Sequence, residues 1–273
     1  MNRVLGIRRH PLKSAAAEHI GDAFVGKHGL DGDRTWTCLD ADGTIGSAKQ
    51  PRLWGGLLAV SAAFDPASGG VRIAVPGRSP APAGSPEADA AVSALLGRPV
   101  RLTRTATQQL KRHHWWPDEP GMIPDWAADA EPGGDDIVNV RSSAADGRFF
   151  DYGALHLVTT GALERLGAEH GGPVDPARFR PNLILDLPGD PLPGQRITIG
   201  PDLVVQVSVP TPRCVIPSLS HGDAPADRAL LKTLAAHHRV DVPAFGRATC
   251  FGFYADILAV GAVRTGDRAS VTD

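Results

Sequence analysis

The chain has 273 residues, with 28 Lys and Arg against 30 Asp and Glu for a formal net charge of -2. That length buries a substantial core in one large or two small domains, and without a basic field neither nucleic acid nor an anionic membrane surface is an expected partner. No apolar window approaches the ~18 residues of a membrane-spanning helix, and MNRVLGIRRHPLKS lacks the apolar stretch of a signal peptide, so a cytoplasmic protein is expected.

Glycine (31) and proline (24) are spread as punctuation, which predicts many short strands ended by turns. In chain order the first strands are expected at Val4 to Arg8, Trp36 to Asp40, Gly56 to Phe64, Val71 to Val75 and Val100 to Thr105. One helix interrupts them: Ser85 is a good N-cap, Pro86 suits the first helical position, and Gly97 can end it. From Gln108 to about Asn139, aromatics, charges and prolines mix without a helical or strand period. That stretch is expected to be a domain connection, pinned by Trp115, Trp116 and Trp126 or closing as a lid over a site. The adjacent His113 and His114 are poorly placed to ligate one metal together.

The C-terminal half predicts strands at Leu155 to Thr159, Asn182 to Leu187, Arg196 to Ile199 and Leu203 to Ser208, with helices at Gly161 to Ala168 and Asp227 to His238. Two closing strands are expected, Cys250 to Val260 and Ala262 to Val271, the second broken at Gly266-Asp267. The fold class is therefore α+β and β-rich, with a barrel as the expected architecture.

Five segments carry chemistry. Val209-Pro210-Thr211-Pro212-Arg213-Cys214 sets a cysteine behind an arginine in a proline-stiffened stretch. Such a stretch should stay out of a regular ladder and hold Cys214 in one direction, and an adjacent cation favours the thiolate, the form that attacks or binds metal. Pro11-Leu12-Lys13-Ser14 offers a cation and a hydroxyl at a strand end. Gly29-Leu30-Asp31-Gly32-Asp33-Arg34 delivers Arg34 from a glycine-rich turn. Leu155 to Gly161 runs a strand into a helix, where Thr159, Thr160 and free backbone N–H groups could bind an anion. Arg178-Phe179-Arg180-Pro181-Asn182 sets two arginines and an amide before a strand. Taken singly, each has a plain structural reading: a solvated Lys13, a local Asp33–Arg34 ion pair, a helix cap at Thr160 or Gly161, and Arg180 packed beside Phe179. The cysteines, Cys38, Cys214 and Cys250, are odd in number and lack CxxC spacing. That predicts neither a disulfide framework nor a zinc knuckle, with Cys38 and Cys250 as core.

In this order the segments closely resemble the MOSC family, named for the C-terminal domain of molybdenum cofactor sulfurase. PLKS, GLDGDRTW and SAKQPRLW resemble the β-barrel domain that precedes MOSC in the mitochondrial amidoxime-reducing proteins and their bacterial relatives. FFDYGALHLVTTGALERL, DPARFRPNLILD, PTPRC and GAVRTGD resemble the MOSC domain itself. The resemblance implies an N-terminal barrel-like domain over 1–107, a connecting segment or lid over 108–139, and a MOSC domain over 140–273. It also implies the molybdenum cofactor, with Cys214 as the metal ligand and catalytic residue. Lys13, Ser14, Arg34, Arg180 and Asn182 would be cofactor contacts, with Thr159, Thr160 and Arg213 as further ones.

The sequence departs from the family pattern around the metal ligand. Thr211 stands where the motif often has a first cysteine, and Pro217, Ser218 and His221-Gly222 replace threonines and a Thr-Gly ending. No aminotransferase segment precedes the domain and no ferredoxin-like segment trails it, so the expected protein is pyridoxal phosphate-independent. Electrons would come from a separate ferredoxin, flavoprotein or cytochrome-type partner. The leading expectation is an oxidoreductase acting on a small N-hydroxylated compound or a related N–O or S–O group, with His221 or Asp223 as a proton relay. The alternatives are a sulfur carrier with a persulfide on Cys214, and a cofactor-storage module.

Overall fold

The computed structural model describes residues 2–104, 110–140, 148–243 and 245–273. Thr105, at the end of one expected strand, and Gln108 and Gln109, at the start of the expected connection, lie outside them. The chain opens with β1 (Val4–Arg9), β2 (Glu18–Ile20), β3 (Asp22–Gly26) and β4 (Gly29–Leu30). Then come β5 (Thr37–Leu39), α1 (Pro51–Trp54), β6 (Ser61–Asp65), β7 (Gly70–Ala74), β8 (Ala81–Pro82), α2 (Pro86–Leu96) and β9 (Arg101–Thr103). A hairpin of β10 (Leu110–Trp115) and β11 (Asp135–Val140) leads to β12 (Leu155–Thr159), α3 (Thr160–His170), β13 (Leu183–Leu185) and β14 (Arg196–Ile199). The chain closes with β15 (Leu203–Pro212), α4 (Ala229–His237), β16 (Arg239–Val242), β17 (Gly246–Ala259), β18 (Gly261–Arg264) and β19 (Ala269–Thr272). The fold is α+β and strand-rich, and among the described residues no helix is long and apolar enough to cross a membrane.

The principal sheet has nine strands in the order β19-β14-β15-β17-β12-β13-β1-β2, with β16 paired to β17. Its first two strands by sequence thus lie beyond the last strands of the C-terminal half. β1 pairs with β13 (Ile7 opposite Leu183), and β3 pairs with β18 (Val25 opposite Gly261). Val4, Ile7, Val25 and Leu30 consequently share one core with Leu155, Leu183, Val205 and Phe253. A second core, holding Leu12, Trp54, Leu57, Ile73, Val92 and Leu102, belongs to the N-terminal half alone. Burying such side chains contributes roughly 1.5–3 kcal/mol each, so the first core joins the two ends of the chain energetically as well as by register.

Local signals account for several elements. Ser85 accepts a hydrogen bond from the Ala88 N–H, Pro86 opens α2, and Gly97 closes it at φ 64°. β15 alternates buried and half-buried residues along its length, as a strand with one covered face should. Contrary to expectation it continues through Pro210 and Pro212. The ladder to β17 tolerates them by shifting register between Val207 and Val209 and again between Pro210 and Pro212, which is how a sheet accommodates missing donors. The expected strand from Gly56 starts only at Ser61, because Gly55–Ala59 forms a 3-10 turn.

The stretch expected to lack any period contains the β10–β11 hairpin. Alternation along β10 explains the adjacent histidines. His113 bonds the Asp40 carboxylate at 2.8 Å, while Arg112, His114 and Trp116 face a groove on the other side.

Candidate functional site

Two connected spaces meet at Cys214. The inner cavity, of about 80 Å³, is lined by Lys13, Ser14, Arg34, Ser47 and Lys49 from the N-terminal half and by Asp151, His156, Arg178, Arg180, Thr211, Arg213 and Cys214 from the other, among others. Six of its lining side chains are cationic and one is anionic. It opens beside a groove of about 910 Å³, and Lys49, Asp151, Pro212, Arg213, Cys214 and Tyr254 border both.

Backbone geometry aims three of these side chains. Ser14 (φ 65°), Arg34 (φ 50°) and Arg180 (φ 56°) are the non-glycine residues with positive φ among the described residues, and all three line the inner cavity. Left-handed conformation costs a non-glycine residue ~1 kcal/mol or more, and such residues cluster at functional sites. Surrounding bonds hold each in place. The Ser14 hydroxyl accepts from the Ala48 N–H at 3.0 Å. Arg34 pairs with Asp33 and donates to the Arg180 carbonyl at 3.3 Å and to Asn182 Oδ1 at 3.4 Å. Arg180 donates to the Ala15 carbonyl, which ties the two halves across the cavity.

The arginine Nη2 of Arg180 and the hydroxyl of Thr211 are buried without a protein partner, and both side chains line this cavity. A buried donor left unsatisfied costs ~1–3 kcal/mol, so the cavity is finished for a polar, anionic guest. Burial, with Arg34 nearby, pushes Arg180 down to about 9. Lys13 donates to Asp151 Oδ1 at 2.7 Å and to the Phe149 carbonyl at 2.8 Å, and burial brings its ammonium down to about 8 despite Asp151. Asp151 also accepts from Arg112 at 2.6 Å and pairs with Lys49 at 3.0 Å. Partial burial opposes its ionisation, but Lys13, Lys49 and Arg112 outweigh that and hold its carboxyl well below the usual range.

Around Cys214, which is half-buried and free, the chain is clamped by arginines. Arg213 donates to the Thr211 carbonyl (3.1 Å), the Phe179 carbonyl (3.0 Å) and His156 Nε2 (2.9 Å). Because guanidinium can only donate, His156 must accept at Nε2 and carry its proton on Nδ1; burial and Arg213 hold it neutral. Gly252 (φ +67°) permits this, since a Cβ there would stand 2.8 Å from His156 Nε2 and 2.5 Å from the Leu157 carbonyl. Arg178 donates to the carbonyls of Pro217, Leu219 and Pro225 at 3.1, 3.0 and 2.7 Å, fixing the loop after Cys214. Tyr254 sits opposite His156 in the β12–β17 register, and burial raises its phenol to about 12.

Not every expected contact reaches the cavity. Thr159 is fully buried, bonds Asp190 at 2.7 Å and caps α3 through the Ala162 N–H. Thr160 faces Asp186 and the Leu187 carbonyl. Two of the N–H groups expected free at this helix start have partners: Gly161 donates to the Leu187 carbonyl at 2.9 Å and Ala162 to the Thr159 hydroxyl at 3.3 Å, and a Cβ on Gly161 would fall 2.0 Å from the Pro188 carbonyl oxygen. Asn182 supports the cavity from behind, bonding Arg34, the His156 N–H and the Arg8 carbonyl. His221 donates from Nε2 to the Ile216 carbonyl at 2.9 Å, burial pushes it down to about 4, and neither it nor exposed Asp223 lines either space. Cys38 and Cys250 lie in apolar clusters. Nothing local in the sequence marks the convergence of Lys49, Arg112, Asp151, His156 and Tyr254, although SAKQ, FFDYG and LHLV contain three of them.

The model described as the MOSC N-terminal beta barrel domain matches residues 1–111, and the one described as the MOSC domain matches residues 145–270. The chain belongs to the MOSC family. Among solved structures, the YUAD protein from Bacillus subtilis is similar at 12% identity and a TM-score of 0.46, over 99% of this chain and 96% of that one. YiiM from Geobacillus stearothermophilus is similar at 21% identity and a TM-score of 0.31, over 44% of this chain and 55% of that one. No curated protein matches the chain.

Proposed function

We propose that the chain binds the molybdenum cofactor and reduces small N-hydroxylated compounds, or related N–O or S–O groups, with electrons from a separate protein. One observation carries the reading: a cavity with six cations to one anion and two unsatisfied buried donors adjoins a free, half-buried thiol. Lys13, Arg34 and Arg180 suit a phosphate dianion, and a thiolate at Cys214 is the soft ligand that molybdenum favours. The bound cofactor would supply two-electron oxygen-atom transfer, so that a hydroxylamine plus two electrons and two protons becomes an amine and water.

The chain's own residues do the positioning. Arg213 and Arg178 hold the loop that presents Cys214, and neutral His156 completes the arginine's bonds without adding charge. Tyr254 keeps its proton and borders both spaces, which makes its phenol a hydrogen-bond donor beside the thiol.

The test is elemental analysis on protein purified from a host that makes molybdopterin. Near-stoichiometric molybdenum is expected, lost in Cys214→Ser while thermal unfolding stays within a few degrees of wild type. Protein without molybdenum, but with a reductant-labile mass increase of one sulfur atom that Cys214→Ser abolishes, would replace this reading with sulfur transfer.

A further inference from the structure

One wall of the outer groove is a segment that cannot hold its own shape. Pro117, Pro120 and Pro124 interrupt it, no helix or strand runs through residues 116–124, and its carbonyls need donors from elsewhere. Two distant strands supply them. Arg239 of β16 donates to the carbonyls of Gly121 and Ile123, the second at 3.2 Å, and to Asp125 Oδ1 at 2.9 Å. From β17, the Thr249 hydroxyl donates to the Gly121 carbonyl at 2.8 Å, and the Arg247 N–H donates to Asp125 Oδ2 at 2.8 Å. β17 opens on a residue shaped for this contact: at Gly246 (φ 74°) a Cβ would stand 2.9 Å from the Asp125 Cβ.

The segment faces two ways. Met122, Pro124, Trp126 and Ala127 line the groove. Met122, only 1% exposed, also shares a small apolar cluster with Val215, the residue after Cys214, and with Leu231 of α4. The loop that presents Cys214 therefore has two supports. Arg178 fixes its backbone through the carbonyls of Pro217 and Leu219, and the Met122 cluster packs its side chains. The Arg239–Asp125 ion pair is half-exposed at Asp125, so charge alone holds it weakly. What gives the contact direction is the planar fork of Arg239, whose bonds all go to one short stretch of chain.

We infer that Arg239 is a positioning residue: it latches residues 121–126 along the groove, and through Met122 that segment seats the loop carrying Cys214. Latch and thiol form one unit, so releasing the wall also releases Cys214. Only the chemistry done at Cys214 rests on the reductase reading; the seating of the thiol does not.

The test uses the full-length chain from a host that cannot make molybdopterin, so that Cys214 is free. Its alkylation by iodoacetamide is followed at one pH, site by site, by mass spectrometry. Cleavage after Glu119 and Asp125 by a protease specific for acidic residues reports on the wall directly. Arg239→Gln is expected to raise both rates at least about fivefold, while Cys38 stays unreactive and thermal unfolding stays within a few degrees of wild type. Arg239→Lys, whose ammonium cannot reproduce the fork, should fall between. Met122→Ala should also raise the Cys214 rate, and Met122→Leu, which keeps the volume, should restore it. Faster cleavage with an unchanged Cys214 rate overturns the inference. So does Cys38 reacting in step with Cys214, which would mean that the whole fold had loosened. Neither readout needs molybdenum: if protein from a molybdopterin-making host carries no metal while these changes appear, the latch stands and the reductase reading falls.

Discussion

At the residue scale, the inner cavity concentrates left-handed backbone and costly burial in one place. Ser14, Arg34 and Arg180 hold positive φ there, and Lys13 and Arg180 are cations that burial drives toward deprotonation. The sign of the pH dependence follows. Between about 8 and the usual lysine value near 10.4 the unfolded chain binds more protons than the folded one, so Lys13 makes stability rise with pH in that window. Anion binding runs the other way, because deprotonated Lys13 no longer attracts a phosphate. Retention of a phosphate-bearing cofactor through equilibrium dialysis should therefore fall as pH passes about 8, and Lys13→Arg should move that fall upward. Retention that stays flat to high pH would show that Lys13 does not hold the anion.

At the element scale, the two longest helices among the described residues both start on a side-chain cap, and one adds a tertiary constraint. α2 begins on a side-chain cap at Ser85, so Ser85→Ala should cost about 1 kcal/mol in urea unfolding. α3 adds a tertiary contact to its Thr159 cap: the Gly161 site has no room for a Cβ against the Pro188 backbone. Gly161→Ala should thus cost more than about 2 kcal/mol, well beyond what helix propensity alone would predict with its opposite sign. A smaller loss than Ser85→Ala would mean that the 186–190 turn yields easily. β15 gives the complementary lesson. Its prolines do not end the strand; they bend it through register shifts so that Thr211, Pro212 and Arg213 turn into the cavity.

At the scale of the whole molecule, the family models divide the chain near its middle, whereas the sheet does not. β1 and then β2 complete the principal sheet beyond β13, and Val4, Ile7, Val25 and Leu30 fill the core of the C-terminal strands. A fragment spanning 145–273 would lack both of those strands and those side chains. It is expected to show dye-binding apolar surface and no cooperative thermal transition, measured by near-UV circular dichroism and a fluorescent probe. A cooperative melt in the isolated fragment would show that the N-terminal strands are accessory. The same connection makes the cavity depend on the whole fold, since Arg180 reaches back to Ala15 and Lys13 reaches forward to Phe149 and Asp151.

From sequence alone, the α+β class, the capped helix at Pro86–Leu96, and the segments carrying Lys13, Ser14, Arg34, Arg180, Arg213 and Cys214 were legible. Caps, turns and residues before prolines are local constraints, and local constraints leave local signatures. What tertiary structure decided was which of those residues meet, and what meets them. The β12–β17 register sets His156 opposite Tyr254, a pairing across about a hundred residues of chain. Asp151 gathers Lys13, Lys49 and Arg112 from three distant segments, while Thr159 and Thr160, expected at the anion, are turned to a neighbouring loop. The hairpin that faces His114 and Trp116 into the groove was hidden because its residues mix polar and aromatic on both faces. Register and sheet order are chosen by burial summed over distant strands, and no short window of sequence contains that sum.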